Sequence, residues 1–219
     1  MNKTTMIQVS GVLVELLTEG DAIARMTNNQ KDWEPGTRSV WGGLTRPGDM
    51  VIDVGAYTGV YSIASAMMGA KVIALEPHPA NYKRLRANAA LNSVRIEMIE
   101  AAASKHAGFE RLYMKRGLEV LCDTASLVDE MAADVVVKAI RIDDLKLSAH
   151  VGTIKIDVEH GEVGVLLGAI RTIASHRPTI MVELLDDRVH AAVNGLMAGL
   201  GYKSDLLVDK RNHFYRYRG

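Results

Sequence analysis

The feature that most constrains this chain is a repeated alternation. Short apolar runs, each too short for a stable helix, hand over to stretches with helical spacing. Met50–Val54 is such a run, and Val60, Ile63, Ala64 and Met67 then recur every three or four residues before Gly69. Residues 71–75 form a second run. They lead into an amphipathic stretch over 79–92, with Tyr82, Leu85 and Ala89 on one face and Lys83, Arg84 and Arg86 off it. Residues 94–99 form a third run. Further on, 153–158 precedes a single helix carrying Val163, Leu166, Leu167, Ile170 and Ala174, and 179–184 precedes a helix over 189–200. Runs apolar on both faces are strands buried between two helical layers. The pattern therefore predicts an α/β fold with a doubly wound, mostly parallel sheet. Segments 205–208 and 213–218 are joined by the polar turn 209–212, too short for a crossover, so the last strand is antiparallel.

The regular region is flanked by less regular ones. Residues 7–26 alternate loosely around Glu19-Gly20-Asp21, which predicts a β-hairpin turning there, and 37–44 predicts a short helix. We divide the chain into an N-terminal appendage, 1–35, and a domain, 36–219. Strand segments 108–114 and 134–142 flank an insertion. The short N-terminus leaves little material for a separate acceptor-binding segment. With 219 residues, 48% hydrophobic and 24% charged, the chain suits one medium globular domain. Lys+Arg and Asp+Glu both number 26, so the net charge is zero and no nucleic-acid partner is expected. The basic tail residues Lys210, Arg211, Arg216 and Arg218 read as a solvated edge. A single cysteine, Cys122, excludes an internal disulfide and any multi-cysteine metal site. No run approaches the roughly 20 apolar residues of a membrane span, so a cytoplasmic location is expected.

The first strand ends in Asp53-Val54-Gly55-Ala56-Tyr57-Thr58-Gly59. Glycine there permits a sharp turn and close approach of a ligand, and the helix that follows presents unpaired N–H groups. The second strand ends in Glu76, 21 residues after Gly55, where a doubly wound fold places the acid that grips a ribose diol. Strand, glycine turn, helix, strand and terminal acid together point to an adenosine-containing ligand. A pyrophosphate needs a second glycine where this chain has Tyr57, and the spacing is G-x-x-x-G rather than G-x-G-x-x-G. S-adenosylmethionine carries adenosine without phosphate. Its sulfonium is compatible with aromatic faces, for which Tyr57, Tyr61 and Trp41 are candidates, although Trp41 reads better as core. Ala101, Ala102 and Ala103, after Glu100, are small enough to border an adenine, and Thr124 or Ser126 can approach from the insertion.

Val51-Ile52-Asp53-Val54-Gly55-Ala56-Tyr57-Thr58-Gly59, then Ala74-Leu75-Glu76-Pro77-His78-Pro79-Ala80-Asn81 with Leu85 and Asn88, resemble the cofactor half of the FkbM family of methyltransferases. Ile154-Lys155-Ile156-Asp157-Val158-Glu159-His160-Gly161-Glu162, running on to Leu167-Gly168-Ala169, resembles that family's second signature, with His160 where the family usually has glycine. The resemblance covers roughly residues 46–183. It implies a Rossmann-like class I, S-adenosylmethionine-dependent O-methyltransferase acting on a hydroxyl of a small molecule or carbohydrate. It also implies cofactor contacts from Asp53, Gly55, Ala56, Tyr57, Gly59, Glu76, Pro77, Ala102 and Asp157.

An alcohol needs a base or a metal to become a good nucleophile. Asp157 and Glu159 close one central strand and Glu183 the next, at the end where ligands bind. These carboxylates, or His160, are the candidate catalytic groups. Asp157, Glu159 and Glu183 are also the candidate ligands of a Mg2+ ion. Glu162 reads as a first-turn helix acid. Lys155, inside an apolar strand, needs a buried acid, for which Glu183 is a candidate. His78, His106, His176, His190 and His213 read as surface or packing residues. An RNA or DNA methyltransferase, a nicotinamide oxidoreductase and a non-catalytic S-adenosylmethionine-binding module are the rival readings.

Overall fold

A computed structural model describes residues 3–113 and 134–219. The chain begins with β1 (Thr4–Val9), β2 (Val12–Leu17), α1 (Ala22–Asn28) and α2 (Pro35–Val40), with a 3-10 turn at Trp41–Gly43. Next come β3 (Met50–Val54), α3 (Val60–Met67), β4 (Lys71–Leu75), α4 (Pro79–Leu91) and β5 (Glu97–Ile99). The middle carries β6 (Ala102–Ala103), β7 (Gly108–Tyr113), β8 (Asp134–Ile140) and a 3-10 turn at Ile142–Asp144. Then follow β9 (Val151–Ile156), α5 (Glu162–Leu167), α6 (Ile170–His176), β10 (Thr179–Glu183), α7 (Asp187–Gly199), β11 (Tyr202–Val208) and β12 (Asn212–Tyr217). Cys122, Thr124 and Ser126 lie outside the described residues.

Seven strands form the main sheet in the order β11-β12-β10-β9-β3-β4-β5. β3, β4, β5, β9 and β10 are mutually parallel, and β12 runs antiparallel to both its neighbours. The chain winds outward from β3 in both directions, so a crevice opens beyond the C-terminal ends of β3 and β9, where the winding reverses. Adjacent residues of β3 feed opposite layers. Ile52 and Val54 pack with Val165, Leu166 and Ile173 of α5 and α6, whereas Val51 packs with Val60, Ile63 and Ala64 of α3. That is the strand period of two, apolar on both faces.

The β1–β2 hairpin joins the second of these layers through Ile7, Val9, Val14 and Leu16. Its open edge is closed by two side-chain amides, from Asn88 of α4 and from Asn92 at that helix's C-terminal cap. Asn88 accepts from Leu17 N (3.0 Å) and donates to Thr58 O (2.9 Å), and Asn92 accepts from Glu15 N (2.9 Å) and donates to Glu15 O (2.8 Å). The amides replace a neighbouring strand, which an unpaired edge otherwise lacks.

Two local expectations differ from the structure. The hairpin turns at Ser10 and Gly11, whose φ values of 44° and 92° are both left-handed, as a tight two-residue hairpin turn requires. Glu19-Gly20-Asp21 instead starts α1, with the Asp21 side chain accepting from Ala24 N at 2.9 Å. The helix expected after β9 is broken into α5 and α6. Gly168 packs its Cα against Ser104 O, where a Cβ would lie at 2.1 Å, and its own carbonyl accepts from Asp143 N at 2.9 Å. The Asp143 carboxylate then accepts from Arg171 N (3.1 Å) and Thr172 N (2.8 Å), capping α6 from a distant part of the chain. Among the described residues no helix is long and apolar enough to cross a membrane.

Candidate active site

The turn after β3 is held from several directions. Gly55 has φ +75°, and a Cβ on it would stand 1.7 Å from Asp157 O, so the end of β9 itself demands glycine here. Gly55 N and Ala56 N both donate to Leu75 O at 3.0 Å. Gly59, at φ +97°, presses against Leu85, where a Cβ would lie 2.3 Å from Cδ1. Tyr57 is left-handed as well (φ 51°). Its N–H donates to Glu76 Oε2 at 2.8 Å, and its hydroxyl oxygen accepts from Ala22 N at 3.2 Å, tying α1 to the turn.

Glu76 is the fixed point of this wall. It is 4% exposed, and its Oε1 accepts from His78 N (2.9 Å) and Asn81 Nδ2 (3.3 Å). Burial outweighs these bonds and pushes its carboxyl up to about 7. Oε1 thus has its two donors, and Oε2, which accepts from Tyr57 N, keeps lone-pair capacity for a further one, because an ionised carboxylate offers about two acceptor sites on each oxygen.

On the other side of the turn lies a buried ion cluster. Lys155 Nζ is 2.9 Å from Asp157 Oδ2, 3.6 Å from Asp53 Oδ1 and 3.5 Å from Gly55 O. Asp53 Oδ2 accepts from Ser62 Oγ at 2.6 Å. Burial alone would lower the Lys155 ammonium, but the charges of Asp157, Asp53 and Glu34 outweigh it and raise it. Burial likewise opposes ionisation of Asp157, yet the Lys155 charge and a hydrogen bond from Glu183 hold its carboxyl below the usual range. Burial and then the Asp157 charge push Glu183 well above that range. Glu183 therefore keeps the proton and shares it with ionised Asp157. The acid that neutralises Lys155 is thus Asp157 with Asp53, rather than Glu183. Carboxylate oxygens of Asp157, Glu159 and Glu183 lie within 4.8 Å of one another.

These groups line one cleft of about 290 Å³. Of the expected cofactor contacts, Gly55, Ala56, Tyr57, Glu76, Pro77, Ala102 and Asp157 line it. Asp53 and Gly59 stand behind the wall, the first under Lys155 and the second against Leu85. Of the candidate catalytic groups, Asp157, Glu159 and Glu183 line the cleft together. His160 does not. Its Nδ1 faces Asp186 Oδ2 at 3.3 Å outside the lining, and its N–H donates to Glu162 Oε1 at 2.9 Å in the first turn of α5. Trp41 is fully buried and donates to Ser65 Oγ at 2.9 Å, as a core residue.

The N-terminal segment supplies more of the cleft than its length suggested. Ala22, Ile23, Met26, Trp33 and Glu34 form one wall, and Arg211 joins from the β11–β12 turn. Tyr61 packs between Trp33 and Trp41, with ring centroids 5.5 and 4.6 Å away, and its hydroxyl donates to Glu34 Oε2 at 2.6 Å. Sequence reasoning missed Trp33 and Glu34. The available signal was an aromatic residue and a Glu-Pro step inside a polar, turn-rich stretch.

Residues 53–204 match the methyltransferase FkbM domain family. The chain is 28% identical over 191 residues to the 31-O-demethyl-FK506 methyltransferase FkbM of Streptomyces tacrolimicus, covering 72% of this chain and 74% of that one. Among solved structures it is similar to methyltransferase FkbM from Methylobacillus flagellatus KT, with a TM-score of 0.54 and 17% identity over 91% of this chain. It spans 61% of that protein's chain. It is also similar to magnesium protoporphyrin IX methyltransferase from Synechocystis PCC 6803 with bound SAM, with a TM-score of 0.50 and 13% identity, covering 84% of this chain and 79% of that one. The likenesses to solved structures show the class I methyltransferase fold, and the family match spans both the Gly55 turn and the Asp157 cluster. The chain belongs to the FkbM methyltransferase family.

Proposed function

We propose that the protein is an S-adenosylmethionine-dependent O-methyltransferase whose acceptor is a hydroxyl group on a small molecule or sugar. The observation that carries the reading is the convergence of Asp157, Glu159 and Glu183 in the same cleft as Glu76. One cleft thus combines an acid suited to a ribose diol with a set of carboxylates suited to a hydroxyl.

The residues fit an adenosyl sulfonium compound. Glu76 is buried and fixed by the Tyr57 N–H, Leu75, Ala101, Ala102 and Leu112 give the cleft apolar lining, and the Asp157 carboxylate suits a cation. When bound, that compound supplies a methyl group already activated by positive sulfur. The chain's own groups orient the acceptor and take its proton, and positioning alone can supply a large part of the rate. The carboxylates of Glu34, Asp157 and Glu159 outnumber the cations Lys155 and Arg211 in the cleft, which disfavours a phosphodiester and speaks for a small neutral acceptor over RNA or DNA. Asp157, Glu159 and Glu183 are also the carboxylates that would hold a divalent cation, which would polarise the acceptor oxygen there. The cation that the chain itself supplies beside them is Lys155.

The test is incubation with methyl-tritiated S-adenosylmethionine and a panel of sugars, polyols and hydroxylated aromatics, with products identified by mass spectrometry. Label on oxygen is the expected result, and the same incubation with a chelator separates proton transfer to a carboxylate from action through a cation held by the three acids. Absence of S-adenosylhomocysteine binding in calorimetry, or label found on nitrogen, overturns the reading.

A further inference from the structure

The carboxylate cluster leaves a question of proton balance. As the acceptor's O–H bond breaks, its electron pair forms the new O–C bond and the C–S pair returns to sulfur. One proton must therefore be taken up. Asp157 is committed to the Lys155 ammonium at 2.9 Å, and Glu183 already holds a proton. Neither is well placed to receive another.

Glu34 stands in the same cleft, on the wall contributed by the N-terminal segment. Its backbone is left-handed, with φ 43° and ψ 53°, a conformation that is costly for a residue with a Cβ and persists only where the surroundings impose it. They do so from two sides. Asp209, in the β11–β12 turn, accepts from Gly36 N (3.0 Å) and Thr37 N (2.7 Å), the free N–H groups at the start of α2. Tyr61 donates to Glu34 Oε2 at 2.6 Å. Glu34 sits at the N-cap position of α2 yet makes no capping bond. Asp209 has taken over that duty and leaves the Glu34 carboxylate turned toward the cleft. Its charged and polar surroundings are Tyr61 of α3, Lys155 of β9 with Asp157 just after that strand, Glu183 of β10 and Asn212 of β12.

We propose that Glu34 is a further catalytic residue, the carboxylate that accepts the proton of the acceptor hydroxyl. This rests on the methyl-transfer reading above. Burial and the charge of Asp157 raise the Glu34 carboxyl, which makes it a stronger base than Asp157. Glu34 lies outside residues 53–204, the span that matches the family.

The experiment needs no acceptor. Sinefungin carries an ammonium group where S-adenosylmethionine carries its methyl group, so it reports negative charge facing the reacting position. Calorimetry at pH 8 compares sinefungin with S-adenosylhomocysteine in the wild type and in Glu34→Gln, Glu34→Asp and Glu159→Gln. We expect Glu34→Gln to lose about tenfold of the preference for sinefungin, the size of one charge pair in a partly shielded cleft. S-adenosylhomocysteine affinity should stay within about threefold, which also verifies that the variant is folded. Glu34→Asp should retain most of the preference. An unchanged preference in Glu34→Gln, or a loss confined to Glu159→Gln, overturns the assignment while S-adenosylhomocysteine binding leaves the methyl-transfer reading standing. Failure of the wild type to bind S-adenosylhomocysteine overturns both.

Discussion

The Lys155 ammonium lies 2.9 Å from the Asp157 carboxylate and 3.6 Å from that of Asp53, joining the end of β9 to the neighbouring strand β3 beneath the floor of the cleft. Lys155 and Asp53 are 4% and 1% exposed at the side chain, so solvent screens this cluster little. Removing the cation strands the buried Asp53 carboxylate and the partly buried one of Asp157. We expect Lys155→Met to cost about 3–5 kcal/mol of stability, read as a lowered urea midpoint at pH 7. The loss should shrink on acidification. Without the ammonium the Asp157 carboxyl titrates above its unfolded value, so the variant's stability falls as pH rises and recovers as Asp157 is protonated. A urea midpoint equal to wild type at pH 7 would remove Lys155 from this role.

Glu76 makes cofactor affinity depend on pH. Its carboxyl is raised to about 7 in the free protein by burial, and ribose hydroxyls donate best to the ionised form. Binding should therefore strengthen as pH rises through that value and level off above it. We expect S-adenosylhomocysteine to bind about tenfold more weakly at pH 6 than at pH 8, since only about a tenth of the carboxyl is ionised at the lower pH. Glu76→Gln should bind weakly at both values with the pH dependence gone. The folding linkage has the opposite sign. The raised carboxyl favours the folded state below its unfolded value near 4.5, and that contribution is lost as pH rises to about 7.

Gly55 has two reasons to be glycine, and only one concerns a ligand. Its φ of +75° disfavours any side chain, and a Cβ would overlap the Asp157 carbonyl at 1.7 Å. Backbone rather than a flexible side chain stands in the way, so β3 and β9 would have to part. We expect Gly55→Ala to lose more than about 2 kcal/mol and to lose S-adenosylhomocysteine binding with it, measured by thermal melting and calorimetry. A stable variant with normal affinity would show that the turn can relax.

The parallel strands were legible in the sequence because residues such as Ile52 and Ile154 are buried on whichever face they point to, and continuous apolar runs have few other uses. Glu76 was legible through its distance from Gly55, since one strand, one helix and one more strand fix that spacing. The β1–β2 turn was not. Two left-handed residues, Ser10 and Gly11, carry weaker turn chemistry than Glu19-Gly20-Asp21, and the latter proved to be a helix start. The break between α5 and α6 was hidden because Asp143, which caps α6, lies 28 residues before Arg171. Trp33 and Glu34 were hidden for the same reason, since the groups that hold them, Asp209 and Tyr61, are distant in the chain. Side chains placed by remote partners leave no local pattern.

Asp209 gives the sharpest test of such remote placement. Its two carboxylate oxygens accept from Gly36 N and Thr37 N, and Gly36 lies so close that a Cβ there would stand 3.0 Å from Asp209 Oδ1. Asp209→Ala removes the cap from α2 without touching the Gly55 turn or Glu76. We expect a stability loss of about 0.5–2 kcal/mol, the usual cost of a lost helix cap, with S-adenosylhomocysteine affinity within about threefold of wild type. The wall carrying Trp33 and Glu34 should loosen nonetheless. The chain has 2 tryptophans, and Trp41 is fully buried, so a red shift in emission reports Trp33. The preference for sinefungin should fall with it, because a carboxylate that is no longer held in place acts over a longer mean distance. Asp209→Asn keeps one acceptor oxygen and should recover part of each effect. Unchanged emission and an unchanged sinefungin preference in Asp209→Ala would mean that Tyr61 alone positions Glu34.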